Sequence, residues 1–124
     1  MIQQILSWLG GFPVFSGLTP EYLGPGAGAA GLFCQGREVL WERKDILGRG
    51  HTRQKLVFTL AARGPDEAFL AALLDLEPQL ETTAPKFGED QKVLLERGRT
   101  VKNDGRGLLR MEARLTVEYT TKED

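Results

Sequence analysis

The apolar positions of the chain change period several times, and each change marks an element. Ile2, Ile5, Leu6 and Leu9 recur at helical spacing and predict a short amphipathic helix over residues 1–9, with Trp8 on the same core. The pair Gly10-Gly11 stops it. Residues 10–36 then lose all period. They are broken by Pro13, Pro20 and Pro25 and by glycines, and read as one long loop or arm that a partner would order. Residues 37–46 read as a strand of mixed pattern, LGRGHT as a turn, and residues 53–63 as a strand. In the latter, Leu56, Phe58 and Leu60 oppose Lys55, Val57 and Thr59, so the pair reads as a hairpin.

The period then lengthens. In GPDEAFLAALLDLEPQLE, Pro65 takes a first helical position and Asp66 and Glu67 the first turn. Phe69, Leu73, Leu76 and Leu80 follow on one face with Leu70 and Leu74 beside them, and Pro78 ends or kinks the helix. Two strands close the chain, QKVLLERGRTV and GLLRMEARLTVEYT. In the second, Leu109, Met111, Ala113, Leu115, Val117 and Tyr119 alternate with polar residues, the pattern of a sheet wet on one face. The Asp104-Gly105 pair between them is a hairpin turn signal. The expected fold is α+β: a mostly antiparallel sheet of about four strands, two helices on one face, in the order α-loop-β-β-α-β-β.

Composition narrows the function. A chain of 124 residues suits one domain spanning 1–124, and 41% hydrophobic content supplies a core. A net charge of −1 removes the simplest argument for a nucleic-acid binder. Cys34 and His51 stand alone in their types, which excludes an internal disulfide and argues against a cysteine/histidine zinc site. The N-terminus lacks a basic segment and no apolar run reaches spanning length, so the expectation is a soluble protein made in the cytoplasm.

The most prominent motif is G-x-G-x-x-G at Gly26, Gly28 and Gly31. A dinucleotide turn needs a buried strand before it and a helix after it, because the helix N-terminus faces the pyrophosphate. Here prolines precede it and an alternating, strand-like stretch follows, so the motif reads as a pliant small-residue loop. Nucleophilic catalysis has few candidates. Ser7 and Ser16 lie near the N-terminus, His51 reads as a turn residue, and Cys34 as a small hydrophobe rather than a reactive thiol. Glu38 and Glu42 would share a strand face about 13 Å apart, too far for one metal without further ligands. Glu89-Asp90 reads as a solvated loop pair. No catalytic residue, cofactor site or metal site is expected.

Charge is distributed unevenly. Arg43, Lys44, Arg49, His51, Arg53 and Lys55 gather on the first hairpin, and Arg97, Arg99, Lys102, Arg106 and Arg110 on the second. Acids concentrate on the second helix and the C-terminus. Two solvated hairpin ends account for this, and so does self-assembly in which a basic edge meets an acidic one. Nucleic-acid contact ranks below both, because no aromatics interleave with the basic residues.

Several phrases together resemble the minor capsid proteins of prophages: GLFCQGREVL (Gly31 to Leu40), KLVFTLAAR, PDEAFLAALLDL and LLRMEARLTVEYTTK. The layout spans nearly the whole chain. It is similar to the tail-terminator proteins of long-tailed phages. That resemblance implies a structural virion protein made in the bacterial host. Copies would form a ring, commonly a hexamer, that caps the tail tube and meets the head connector. It implies no enzyme activity, cofactor or membrane. The contacts with other subunits and the tail would fall on the 10–36 loop and on Arg43, Lys44, Arg49, Arg53, Arg97, Arg99 and Arg106. Another head–tail joining or tube-forming protein is the neighbouring alternative, and a small enzyme or ligand-binding domain using the glycine loop is the distant one.

Overall fold

The structure, a computed structural model, describes residues 2–12, 15, 18–23, 29–64, 71, 73–101 and 109–123. Helix α1 (Ile2–Gly10) opens the chain. Strand β1 (Leu18–Pro20) follows, then a long hairpin of β2 (Ala30–Lys44) and β3 (Gly50–Gly64). Residues 73–76 are helical and run into a 3-10 turn (Glu77–Gln79) and an α-turn (Leu80–Thr83). Strands β4 (Glu89–Val101) and β5 (Leu109–Glu123) close the sheet in the order β1-β2-β3-β5-β4.

The fold is α+β, and the sheet has five strands rather than about four. The additional strand, β1, runs parallel to β2, with Thr19 opposite Gly31 and Pro20 opposite Leu32. Proline is tolerated there because β1 lies at the sheet edge. The same pairing corrects the long loop expected over 10–36. Within that stretch, residues 18–20 and 30–36 belong to the sheet. The other pairings are antiparallel. Strand β2 starts at Ala30, before the expected 37, and stops at Lys44, short of the expected 46, while β3 starts at Gly50, before the expected 53.

Register sorts the two faces. Leu32, Leu60 and Ala113 are cross-strand neighbours, as are Leu56, Val117 and Val93, so these side chains share one face. Ile5 and Leu9 of α1, Phe15, and Leu73, Leu76 and Leu80 cover that face and complete a single core. Ile5 and Leu9, and Leu73, Leu76 and Leu80, thus bury the faces that their helical spacing predicts. Helix α1 ends at Gly10, and Trp8 Nε1 donates to Thr83 Oγ1 at 2.8 Å, tying the two helical segments together. Pro78 falls inside the 3-10 turn, where its missing N–H leaves no vacancy in an α-helical ladder. The expected helix start at Pro65 to Glu67, with Phe69 and Leu70, lies outside the described residues, as does the Asp104-Gly105 turn.

The opposite face carries Arg53, Lys55, Val57 and Thr59 of β3, Arg114, Thr116, Glu118 and Thr120 of β5, and Lys92 and Leu94 of β4. We call it the open face. At its far end the backbone of Tyr22 lies so close over Gly31 that a Cβ there would sit 2.2 Å from the Tyr22 carbonyl oxygen. The third glycine of the G-x-G-x-x-G run is thus a packing position inside a strand. Strand β2, not a helix, follows the motif, while Gly26 and Gly28 lie outside the described residues.

Candidate interaction surface

The helices cover only part of the sheet. From Cys34 to Lys44, strand β2 is exposed on both sides except at Trp41, which is half-buried. The outer half of the β2–β3 hairpin therefore projects beyond the core. Its turn is held by one side chain. Asp45 Oδ1 accepts from the backbone N–H groups of Leu47 and Arg49, both at 2.9 Å. Its Oδ2 lies 3.0 Å from His51 Nε2, which must be the donor because a carboxylate can only accept. These hydrogen bonds, the one from His51 first, hold the Asp45 carboxyl below the usual carboxylate range. Gly48 supplies the left-handed residue of the turn, with φ at +80°. The result is a locked turn whose two central apolar side chains point away from the protein. Ile46 is fully exposed and Leu47 is 70% exposed.

The hairpin edge itself is not a regular pairing surface. Gln35 and Leu40 are extra residues relative to β3, so the ladder shifts at both places. The shift at Leu40 also corrects the pairing of Glu38 with Glu42 on one face. Glu38 opposes Lys55 on the open face, with Oε2 3.3 Å from Lys55 Nζ, whereas Glu42 opposes Thr52 on the other. Each sheet edge is further capped by a glutamate. Glu21 Oε1 accepts from the Cys34 N–H at 2.8 Å, and Glu81 Oε1 accepts from the Val93 N–H at 3.3 Å. Both devices discourage edge-to-edge strand addition.

The candidate contact residues fare differently. Arg43 and Lys44 are exposed on the hairpin, and the Arg43 guanidinium carbon lies 4.6 Å from the centre of the Trp41 ring. Arg49 is half-buried in the turn. Arg53 is not a surface cation. Only 8% of it is exposed, and its guanidinium is committed within the chain. Nε and Nη2 donate to Glu118 Oε2, and Nη1 donates to Thr120 Oγ1 and to the Asp90 carbonyl, both at 2.9 Å. The open face at Arg53 is therefore part of the fold's own support, a correction that burial imposes on the charge pattern. Arg97 and Arg99 lie on β4, and Arg106 lies outside the described residues.

Two cavities mark the open face. One, of 640 Å³, lies between Trp41, His51, Arg53 and the Glu89–Lys92 bulge. The other, of 610 Å³, is floored by Val57, Leu94 and Thr116 and walled by charged residues including Glu81 and Glu96. Neither brings a nucleophile to a base. His51 opposes Arg43 and Cys34 opposes Phe58, which puts the imidazole and the thiol seven β3 residues apart, about 23 Å at strand rise. Among the described residues, no three side chains of the His, Cys, Asp and Glu types are grouped to hold a metal ion. No described helix is long and apolar enough to cross a membrane. No protein-family model matches the chain, and no curated protein matches it either.

Residues 34–49 carry four cations against three anions, and Asp45 among the anions is turned inward on the turn. Residues 73–92 carry five anions against two cations, but strand β4 itself is balanced, with Glu89, Asp90 and Glu96 against Lys92, Arg97 and Arg99. This flank also exposes Leu74, and Leu94 just beyond it is 54% exposed. In the fold the C-terminal strand β5 lies beside the first hairpin, where Glu118 accepts from Arg53. What sequence reasoning missed is that each edge also exposes leucine or isoleucine. Ile46 and Leu47 had been read only as part of a strand and turn.

Proposed function

We propose that the protein is a structural subunit of a phage tail, of the tail-terminator or minor capsid kind. Copies assemble into a ring that caps the tail tube and meets the head connector in the virion. The observation that carries this reading is the projecting β2–β3 hairpin, with a locked turn and a fully exposed Ile46 at its tip. A side chain of that size held out by a rigid turn is preorganised for contact, so little ordering entropy opposes binding. The function asked of the chain is to bind and to stop, and it needs no catalytic group.

The reading is tested by the solution mass of the purified protein, measured by light scattering behind size exclusion at two salt concentrations. A discrete ring-sized species that loosens at high salt is the expected outcome. Open fibres of increasing length would move the protein to the tube-forming class. A monomer at every concentration would refute self-assembly by the isolated chain.

A further inference from the structure

We infer that the open face carries a binding site for a neutral, hydroxyl-rich ligand of the short-oligosaccharide class, in the cavity between Trp41, Arg53 and the Glu89–Lys92 bulge. The inference goes beyond the ring reading and does not depend on it, because strands of one chain supply every wall.

The walls are fixed before any ligand arrives. The cavity holds 640 Å³, inside the ~300–1,000 Å³ span of small-ligand sites. Behind it lies the buried Arg53 guanidinium, held by Glu118, the Thr120 hydroxyl and the Asp90 carbonyl. Asp90, whose carbonyl turns in to Arg53, has left-handed backbone with φ at 49°, a conformation that aspartate adopts more readily than most residues. Gln91 is clamped in the same bulge. Its Nε2 donates to the Pro85 carbonyl at 2.9 Å, and its Oε1 accepts from the Phe87 N–H at 2.8 Å. Across the cavity, the Arg43 guanidinium packs on the Trp41 ring. Side chains already held in place lose little freedom on binding.

What these walls leave unused selects the ligand. Among the described residues, the Trp41 indole N–H, the Lys92 ammonium and the carboxylates of Glu89 and Asp90 have no hydrogen-bond partner in the protein. Strong acceptors and strong donors thus stand side by side. An anion would meet the two carboxylates, and a cation would meet Lys92 with Arg53 behind it, so neither sign of charge is favoured. An apolar ligand would desolvate these groups without pairing them. A neutral molecule with several hydroxyls suits them, because each hydroxyl can donate to a carboxylate and accept from an N–H. Trp41 is the one aromatic residue of the lining and gives an apolar surface for the C–H groups of a sugar ring.

A chemical-shift titration of the isotope-labelled full chain tests this, with cellotriose, maltotriose, chitotriose and mannotriose as probes in millimolar excess. At least one should move the Trp41 indole N–H signal saturably and leave that of Trp8 in place, since Trp8 is tied to Thr83 on the covered face. Asp90→Asn keeps the size of the side chain but removes a charged acceptor, and should weaken binding about tenfold. Trp41→Ala, followed at the Gln91 backbone amide, should weaken it about tenfold as well. An unchanged Trp8 signal checks the fold of each variant. If none of the four saccharides moves the Trp41 signal, the inference falls. It falls equally if inorganic phosphate or ethylammonium binds there more tightly than any saccharide, because charge then governs the site, or if saccharide binding survives both substitutions unchanged. The solution mass that tests the ring is a separate measurement, so either reading can fail while the other stands.

Discussion

Replacing Glu118 by alanine is the sharpest check on the separation of fold from contact surface. Arg53 looks like a member of a basic patch in the sequence, yet its guanidinium is buried and donates four hydrogen bonds. Two of these go to Glu118, whose side chain is 29% exposed. Without that carboxylate the cation stays in place with only two neutral acceptors, the Thr120 hydroxyl and the Asp90 carbonyl. Stranding a fully buried charge costs 3–5 kcal/mol, and partial access of water to the Glu118 site lowers this to about 3 kcal/mol. In a domain of this size that corresponds to a fall of about 10 °C in the thermal midpoint. Arg53→Met should cost less, about 1–2 kcal/mol, because the carboxylate left behind can reach water. The double variant Arg53→Met with Glu118→Met should then cost less than the sum of the singles, a coupling that a double-mutant cycle reads directly. Urea unfolding monitored by tryptophan fluorescence supplies the free energies. Arg43→Ala, on the exposed hairpin, is the control and should stay within about 0.5 kcal/mol of wild type. Full stability in Glu118→Ala, or an Arg53→Met variant that unfolds normally but loses self-association, would refute the assignment of Arg53 to the fold.

Two further outcomes follow from the same geometry. Gly31→Ala puts a Cβ against the Tyr22 backbone, which cannot swing away as a side-chain end would, so destabilisation of about 1–3 kcal/mol is expected in chemical denaturation. Wild-type stability there would mean that the Tyr22 crossing is not held as described. The hairpin turn should also depend on pH with a definite sign. Hydrogen bonds hold the folded Asp45 carboxyl below the usual carboxylate range, so its contribution is present above the ordinary, unfolded pKa and is lost as pH falls through the lower, folded one. Hydrogen exchange at the Leu47 and Arg49 amides should accelerate across that acid range, and Asp45→Ala should show fast exchange at neutral pH. Protection that does not change with acid would sink the role given to the carboxylate.

Local patterns of the chain determined its elements. Helical spacing at Ile5 and Leu9, and again at Leu73, Leu76 and Leu80, marks the faces that enter the core. Strict alternation from Ala113 to Tyr119 marks the strand whose one face is buried. These signals survive because burial on one side of a helix or strand imposes a period on the residues themselves. The context of the glycine motif was legible for the same reason, since the alternation after Gly31 announced a strand.

Other features were settled only by tertiary structure. Strand β1 has three residues, one of them proline, too few for any period, and exists because the β2 edge offers it partners. The bulge at Leu40 moves Glu38 and Glu42 to opposite faces, and nothing in their spacing of four announces it. The five cations read on the first hairpin beside His51 look alike as letters, but Arg53 is spent on Glu118 while Arg43 remains exposed. Burial and partner geometry depend on residues 37 to 67 positions away, which no local window contains. The interaction surface belongs to this second class. The exposed turn at Ile46 and Leu47 and the open-face cavity at Val57 and Leu94 come from ordinary short stretches of sequence, and only the pairing of β3, β5 and β4 brings the cavity's residues together.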